Sequence, residues 1–156
     1  MKLTSIDYAQ LIQYAAYSMY KTVLNRTQIN KILFCVYGVY LAKKGELLFE
    51  DDHPKAWPYG PVFPIVNKRV IAENIPSGFP RDKTMAFRSN VDALNIVKDV
   101  VKKLHGMSAY KLTEWSHKEG SPWYMTVFPE GGSRNVWNTE IKRDLIERYF
   151  KEEAFS

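Results

Sequence analysis

Apolar residues recur at helical spacing along most of this chain, and the pattern predicts a mainly α-helical protein. The first predicted helix follows Thr4, and its apolar positions extend from Ile6 to Tyr20.

The second helix is predicted over about 27–44, with Thr27 as its N-terminal cap and Gly45 as its stop. Its apolar face is wide, so we predict that it is the central helix of the core. Gly38 lowers helix stability by about 1 kcal/mol relative to alanine, which favours close packing against a neighbouring helix at this position. Cys35 lies in the same apolar run and is expected to be buried.

Four further helices are predicted in the rest of the chain, which gives a compact bundle of about five to seven helices. They run from Val62 to about Ala72, from the cap Asn90 to Gly106 with Val91 in its apolar stripe, from the cap Ser108 to about Lys118, and from near Asn138 to about Glu153. Met85 and Phe87 occupy alternate positions and predict at most a brief, marginal strand.

The segment 56–64 combines two large aromatic residues and three prolines around Gly60. Each proline fixes its own φ and favours extended geometry in the preceding residue, so this segment predicts a bend rather than a helix. Trp57, Tyr59 and Phe63 are interpreted as candidate anchors for a partner, because aromatic side chains bury a large area with little loss of rotamer entropy.

The composition fits one domain over 1–156: hydrophobic residues make up 46% of the chain, and the formal net charge is +5. The basic excess lies between Lys68 and Lys118, where ten basic residues accompany five acidic ones. We expect Lys98, Lys102 and Lys103 to attract an acidic protein surface. Dense basic clusters typical of nucleic-acid binding are absent, and no apolar run is long enough to span a membrane, so a cytoplasmic protein is expected.

The sequence does not predict an enzyme, a metal site or a cofactor. His53, His105 and His117 lack metal-ligand spacing, and no phosphate-binding or hydrolase motif occurs. His117 is interpreted as structural, since a histidine at a helix end can bond backbone carbonyls. Lys31 is interpreted in the same way, with its stem on apolar surface and its ammonium reaching water or a carboxylate.

The order and spacing of several motifs resemble the Panacea antitoxin family, also called SocA-like or GepA-like. The resemblance covers nearly the whole chain and includes Lys31, Gly60, Pro61, His117, Pro122 and Trp123. The matching blocks are the helix segment Gln28–Phe34, the segment Gly45–Phe49, the nonapeptide Ala56–Pro64, the Leu112-Thr113 to Ser116-His117 block, Ser121-Pro122-Trp123, and Tyr149-Phe150.

The resemblance implies the antitoxin of a type II toxin–antitoxin pair, which binds a cognate protein toxin encoded nearby. It also implies a possible phage association and, as further partners, a protease to which the toxin is delivered or a chaperone. One alternative is a nucleic-acid-binding regulatory or phage-associated protein without a toxin partner. A second alternative is a cryptic hydrolase, which substrate screening of the purified protein would identify.

Overall fold

The computed structural model describes residues 2–129 and 133–152, which form eight helices and three short strands. This is a mainly helical fold, as predicted, with one helix more than the expected range. The elements are α1 (Ser5–Tyr20), α2 (Arg26–Lys44), β1 (Lys55–Trp57), β2 (Gly60–Val62), α3 (Pro64–Arg69), α4 (Arg81–Ser89), α5 (Val91–Leu104), α6 (Ala109–Ser116), α7 (Pro122–Val127), β3 (Thr139–Glu140) and α8 (Arg143–Glu152).

Helix α2 is the centre of the core, as its wide apolar face predicted. Every residue from Ile29 to Leu41 is buried, including Cys35, and α1, α5, α6, α8 and β2 all pack against it. A Cβ added to Gly38 would lie 2.2 Å from ring atoms of Phe150 in α8, so the prediction of close helix packing at Gly38 is confirmed. The cap of α2 is Asn25 and not Thr27, because the Asn25 side chain accepts from the Gln28 N–H.

Two of the three strands of the small sheet, β1 and β2, fall on the segment that was predicted as a bend. Strands β1 and β2 form an antiparallel hairpin that pairs Trp57 with Gly60, and β3 pairs with the other edge of β1, giving the order β2-β1-β3. The expected strand at Met85 and Phe87 is wrong, because both residues lie in α4. Phe87 is buried on one face of that helix while Met85 is exposed, a contrast that also fits a helical period.

Two helix boundaries differ from the sequence expectation. Helix α3 begins at Pro64 and not at Val62, because Val62 belongs to β2. The buried Asp52 carboxylate accepts from the N–H groups of Ile65 and Val66, and so satisfies the first turn of α3. Helix α8 begins at Arg143 because strand β3 pairs with β1 upstream of it; Glu153, its predicted end, lies outside the described residues.

Helix α5 has the predicted cap, since the Asn90 side chain accepts from the Ala93 N–H. Lys98 and Lys102 lie on its exposed side, but Val91 is 58% exposed and does not belong to the buried stripe. Position 91 is the first residue of the helix, where the chain has not yet reached the core. Among the described residues, none of the helices combines the length and apolar character needed to cross a bilayer.

Candidate functional site

Segments far apart in sequence meet beneath the turn of the β1–β2 hairpin. Gly60 has a φ of +121°, and a Cβ built on it would lie 2.7 Å from Ser116 Oγ and 3.1 Å from Lys31 Nζ. A side chain at position 60 would therefore be strained in its backbone, would clash with the Ser116 hydroxyl and would crowd the Lys31 ammonium. The hairpin, α2 and the end of α6 are brought together because this position has no side chain.

Lys31 lies inside this meeting point and is only 2% exposed. Burial lowers the pKa of its ammonium to about 8. Within the parts of the chain that the structure describes, no carboxylate or other side chain is paired with this ammonium. Among the described residues the ammonium thus reaches no carboxylate, and its contact with water stays a prediction.

His117 follows α6 and faces the same space. Its ring stacks on the indole of Trp123 with a centroid distance of 3.8 Å, and the Pro58 carbonyl accepts a hydrogen bond from the ring. The buried Nε2 atom has no hydrogen-bond partner among the described residues. Burial lowers the pKa of His117, and the positive charge of Lys31 lowers it further. We call Lys31, Ser116 and His117 the lysine cluster.

Polar contacts around α7 hold the lysine cluster in place. Ser121 caps α7 by accepting from the Tyr124 N–H, and its hydroxyl donates to the Ser116 carbonyl at 2.8 Å. Trp123 donates from Nε1 to the Trp57 carbonyl at 2.7 Å, which ties α7 to strand β1. Pro122 occupies the first position of α7, where the missing N–H has no cost.

Aromatic side chains continue from this cluster to the surface. Trp137 stacks on Trp123 with a centroid distance of 6.4 Å, and the Arg134 guanidinium lies 4.3 Å from the Trp137 ring centre. Trp57 donates from Nε1 to Asn138 Oδ1. At the hairpin turn, Tyr59 is 74% exposed. We call Trp57, Tyr59, Arg134 and Trp137 the hairpin face.

The structure separates the residues that were predicted to bind a partner. Trp57 and Tyr59 lie on the hairpin face, but Phe63 is fully buried and packs against Phe34, Tyr37 and Phe49. Phe63 is thus a core residue and cannot contact a partner in this conformation, which corrects that expectation.

The basic residues of α5 lie in another part of the fold. Lys98, Lys102 and Lys103 are exposed, and Lys103 is 3.2 Å from the Asp99 carboxylate. Helix α5 packs against α1, α2 and α4, whereas the hairpin packs against α2, α6 and α7. The basic residues and the aromatic anchors therefore do not form one continuous site.

Ser116 and Asn30 lie in family-like sequence blocks, but sequence reasoning did not predict that either residue supports the hairpin. Asn30 is buried beside Lys31 in α2, and its Oδ1 atom accepts from the Phe63 N–H, which fixes the end of the hairpin. The available signal was the pair of polar residues within an otherwise apolar stretch of α2. Pro61 lies in β2 opposite Ala56, where the lack of an N–H is tolerated at the sheet edge.

The described residues contain no group of three or more His, Cys, Asp or Glu side chains that could hold a metal ion. The chemistry of the lysine cluster is instead that of one ammonium, one hydroxyl and one imidazole. Such groups can donate to or accept from a bound oxygen atom.

Comparison of this sequence with known proteins identifies the family to which the chain belongs. The model of the family described as antitoxin SocA-like, Panacea domain, matches residues 29–124, which span the lysine cluster. The chain therefore belongs to the SocA-like Panacea antitoxin family. It is similar to antitoxin SocA of Caulobacter vibrioides (strain NA1000 / CB15N), with 28% identity over 131 residues, which are 72% of this chain and 64% of that protein. The matched region thus spans less than two thirds of that relative, and no solved structure matches.

Proposed function

We propose that this protein is the antitoxin of a type II toxin–antitoxin pair and neutralises a cognate protein toxin by binding it directly. The observation that carries the proposal is the match of the SocA-like antitoxin family over residues 29–124. Neutralisation by complex formation requires a complementary surface and no chemical turnover, so we propose a binding protein and not an enzyme. Its place of action is then the cytoplasm, where the toxin is made.

The hairpin face is the surface that we propose for toxin binding. Tyr59 is exposed at a turn, while Trp57 and Trp137 are held by the hydrogen bond to Asn138 and by the stack on Trp123. Aromatic side chains on a fixed support lose little entropy on binding, and such residues often supply most of the binding energy. The exposed lysines of α5 would act at longer range by steering an acidic toxin.

The decisive experiment expresses each neighbouring gene alone and then together with this protein. The proposal expects one neighbour that stops growth alone and permits growth when it is co-expressed with this chain. It fails if every neighbour is harmless, or if a toxic neighbour remains toxic in the presence of this protein.

Purified proteins then test the surface. Tyr59→Ala should mainly speed dissociation of the toxin, whereas Tyr17→Ala, which removes an exposed tyrosine from α1, should not change it. Equal dissociation rates for the two variants would place the toxin on another surface.

Delivery of the toxin to a protease is a further proposal, supported by the family resemblance. It predicts faster degradation of the toxin by a cellular protease when this protein is bound. The nucleic-acid alternative predicts instead a retarded nucleic-acid probe, with an affinity that falls steeply as salt is added.

A further inference from the structure

The outer face of helix α8 carries charged residues whose signs reverse at the middle of the helix. Asp144, Glu147, Arg148 and Lys151 recur at helical spacing and therefore share one face of α8. The two residues before the midpoint are acidic, and the two after it are basic. An open groove of about 410 Å³ follows this face and is lined by the same four residues and Glu152. We call Asp144, Glu147, Arg148 and Lys151 the charged face.

Pairing within α8 uses only half of these charges. Glu147 and Lys151 are four residues apart, and their charged groups lie 3.3 Å from each other in an ordinary intrahelical ion pair. Asp144 and Arg148 have the same spacing and the same favourable order of signs. Their side chains nevertheless form no ion pair or hydrogen bond within the described residues, and both are exposed. One carboxylate and one guanidinium of the charged face are therefore available to a partner molecule.

A second copy of α8 that runs antiparallel presents the matching charges. A two-fold axis between Glu147 and Arg148 places each residue opposite the residue at the same distance on the other side of the midpoint. Asp144 then lies opposite Lys151 of the partner subunit, and Glu147 lies opposite Arg148 of the partner subunit. Glu152 lies level with the N-terminus of the partner's helix, where the helix dipole favours a negative charge. A parallel pair would instead bring each residue to its own copy, and so would oppose like charges.

We propose that this protein forms a two-fold dimer through the charged face, with the two α8 helices antiparallel. The surface is distinct from the hairpin face, because α8 packs against α2 and α7 and contributes no residue to the hairpin face. Helix α8 has ten residues and is about 15 Å long, so a contact limited to it buries less than the roughly 1,200 Å² of stable interfaces. The dimer is therefore weak, and salt dissociates it because exposed ion pairs are screened.

The test is sedimentation velocity of the full chain over a range of protein concentrations, at about 0.05 M and about 0.5 M sodium chloride. We expect a monomer–dimer equilibrium at the lower salt, and association at least about tenfold weaker at the higher salt. Asp144→Lys places like charges opposite each other twice in the dimer, so it should also weaken association at least about tenfold. Asp99→Lys replaces an exposed acid of α5 with the same change in net charge, and it should associate like the wild type.

A charge exchange separates the dimer from a purely intrahelical role of these residues. The double variant Asp144→Lys/Lys151→Asp has the net charge of the wild type and again places opposite charges at positions 144 and 151 of the two subunits. Within one helix it does the reverse, because position 144 then has the sign of Arg148 and position 151 has the sign of Glu147. The double variant should therefore recover most of the association that Asp144→Lys loses, although its helix gains no ion pair.

Cross-linking tests the register without any variant. A carbodiimide condenses a carboxylate with a lysine amine that it contacts, so a mixture of chains with light and heavy nitrogen should yield a mixed-isotope link between Asp144 and Lys151. Monomers at every concentration in low salt would refute the proposal. A dimer that Asp144→Lys leaves intact would form through another surface and would refute it as well. A double variant that associates as weakly as Asp144→Lys would refute the antiparallel pairing. None of these measurements requires the toxin.

Discussion

Replacing Lys31 by methionine should stabilise the fold, although it removes a charged residue from a tightly packed position. Methionine has nearly the same length and volume as lysine but has no ammonium to desolvate. Replacing a buried charge by an apolar side chain of similar volume is often neutral or stabilising. Lys31 is a suitable case, because its burial is nearly complete and the described fold provides no ion-pair partner.

The magnitude follows from the pKa of Lys31. Folding lowers it from 10.5 to about 8, so at pH 7 the folded state holds the proton less favourably than the unfolded state. The shift corresponds to a destabilisation of roughly 3 kcal/mol at pH 7. The unfolded state binds more protons between the two pKa values, so this cost falls as the pH rises and is roughly 1.5 kcal/mol at pH 9.5.

The assay is urea unfolding of the wild type and Lys31→Met at pH 7 and at pH 9.5. The variant should be more stable by about 2–3 kcal/mol at the lower pH, and the advantage should shrink by about half at the higher pH. The raised pKa values of Tyr8, Tyr37 and Cys35 lower stability at alkaline pH, but they affect both proteins and cancel in the difference. An advantage that does not change with pH would refute the assignment of the cost to the ammonium.

Three further outcomes are expected from the packing and the charge distribution. Gly38→Ala should destabilise the protein by about 2 kcal/mol in denaturant unfolding, because the clash with Phe150 outweighs the gain of about 1 kcal/mol in helix propensity. Gly106→Ala is the control, since a Cβ at that position meets no neighbouring atom. Gly60→Val should destabilise the protein by about 1–3 kcal/mol or more, whereas Lys102→Ala should destabilise it by less than about 0.5 kcal/mol. Equal shifts of the two denaturant midpoints would contradict the conclusion that the turn at Gly60 needs glycine. Changing all three exposed α5 lysines to glutamate should slow association with the toxin at low salt in surface-based kinetics, and an unchanged rate would show that α5 faces away from the partner.

The helices with strong local signals could be predicted from sequence. The apolar face of α2 has a long helical period, and the caps Thr4, Asn90 and Ser108 precede their helices directly, so short-range information is sufficient. Gly38 could also be interpreted correctly, because a glycine within a good helix has few other physical explanations.

The sheet could not be predicted in the same way. Thr139 and Glu140 form a strand only because β1 lies beside them, more than eighty residues earlier in the chain. Residues 81–89 carry few apolar residues, so Met85 and Phe87 alone could not distinguish a strand from a helix with one buried position. Long-range contacts decide both cases, through strand pairing for β3 and through the packing of Phe87 on Tyr8 for α4.

The candidate site depended on long-range contacts as well. The motif residues could be identified from their resemblance to a family, but their pattern did not show that Gly60 touches Lys31 and Ser116. For Phe63, the aromatic character suggested an anchor and the fold placed it in the core. Aromatic residues serve both purposes, so sequence alone does not separate them.

Asn30 and Lys31 are adjacent buried polar residues of α2, and the fold provides hydrogen-bond partners for only one of them. Asn30 bonds the Phe63 N–H, the Arg26 carbonyl and the Asn67 side chain, so its polarity fixes the hairpin on the helix. Lys31 makes no comparable bond to described residues and destabilises the fold by roughly 3 kcal/mol, a large part of the typical 5–15 kcal/mol of a folded domain. Natural proteins break the rules of packing mainly at functional sites. The contrast therefore separates Asn30, whose polar groups the architecture uses, from Lys31, whose ammonium has no hydrogen-bond or ion-pair partner among the described residues.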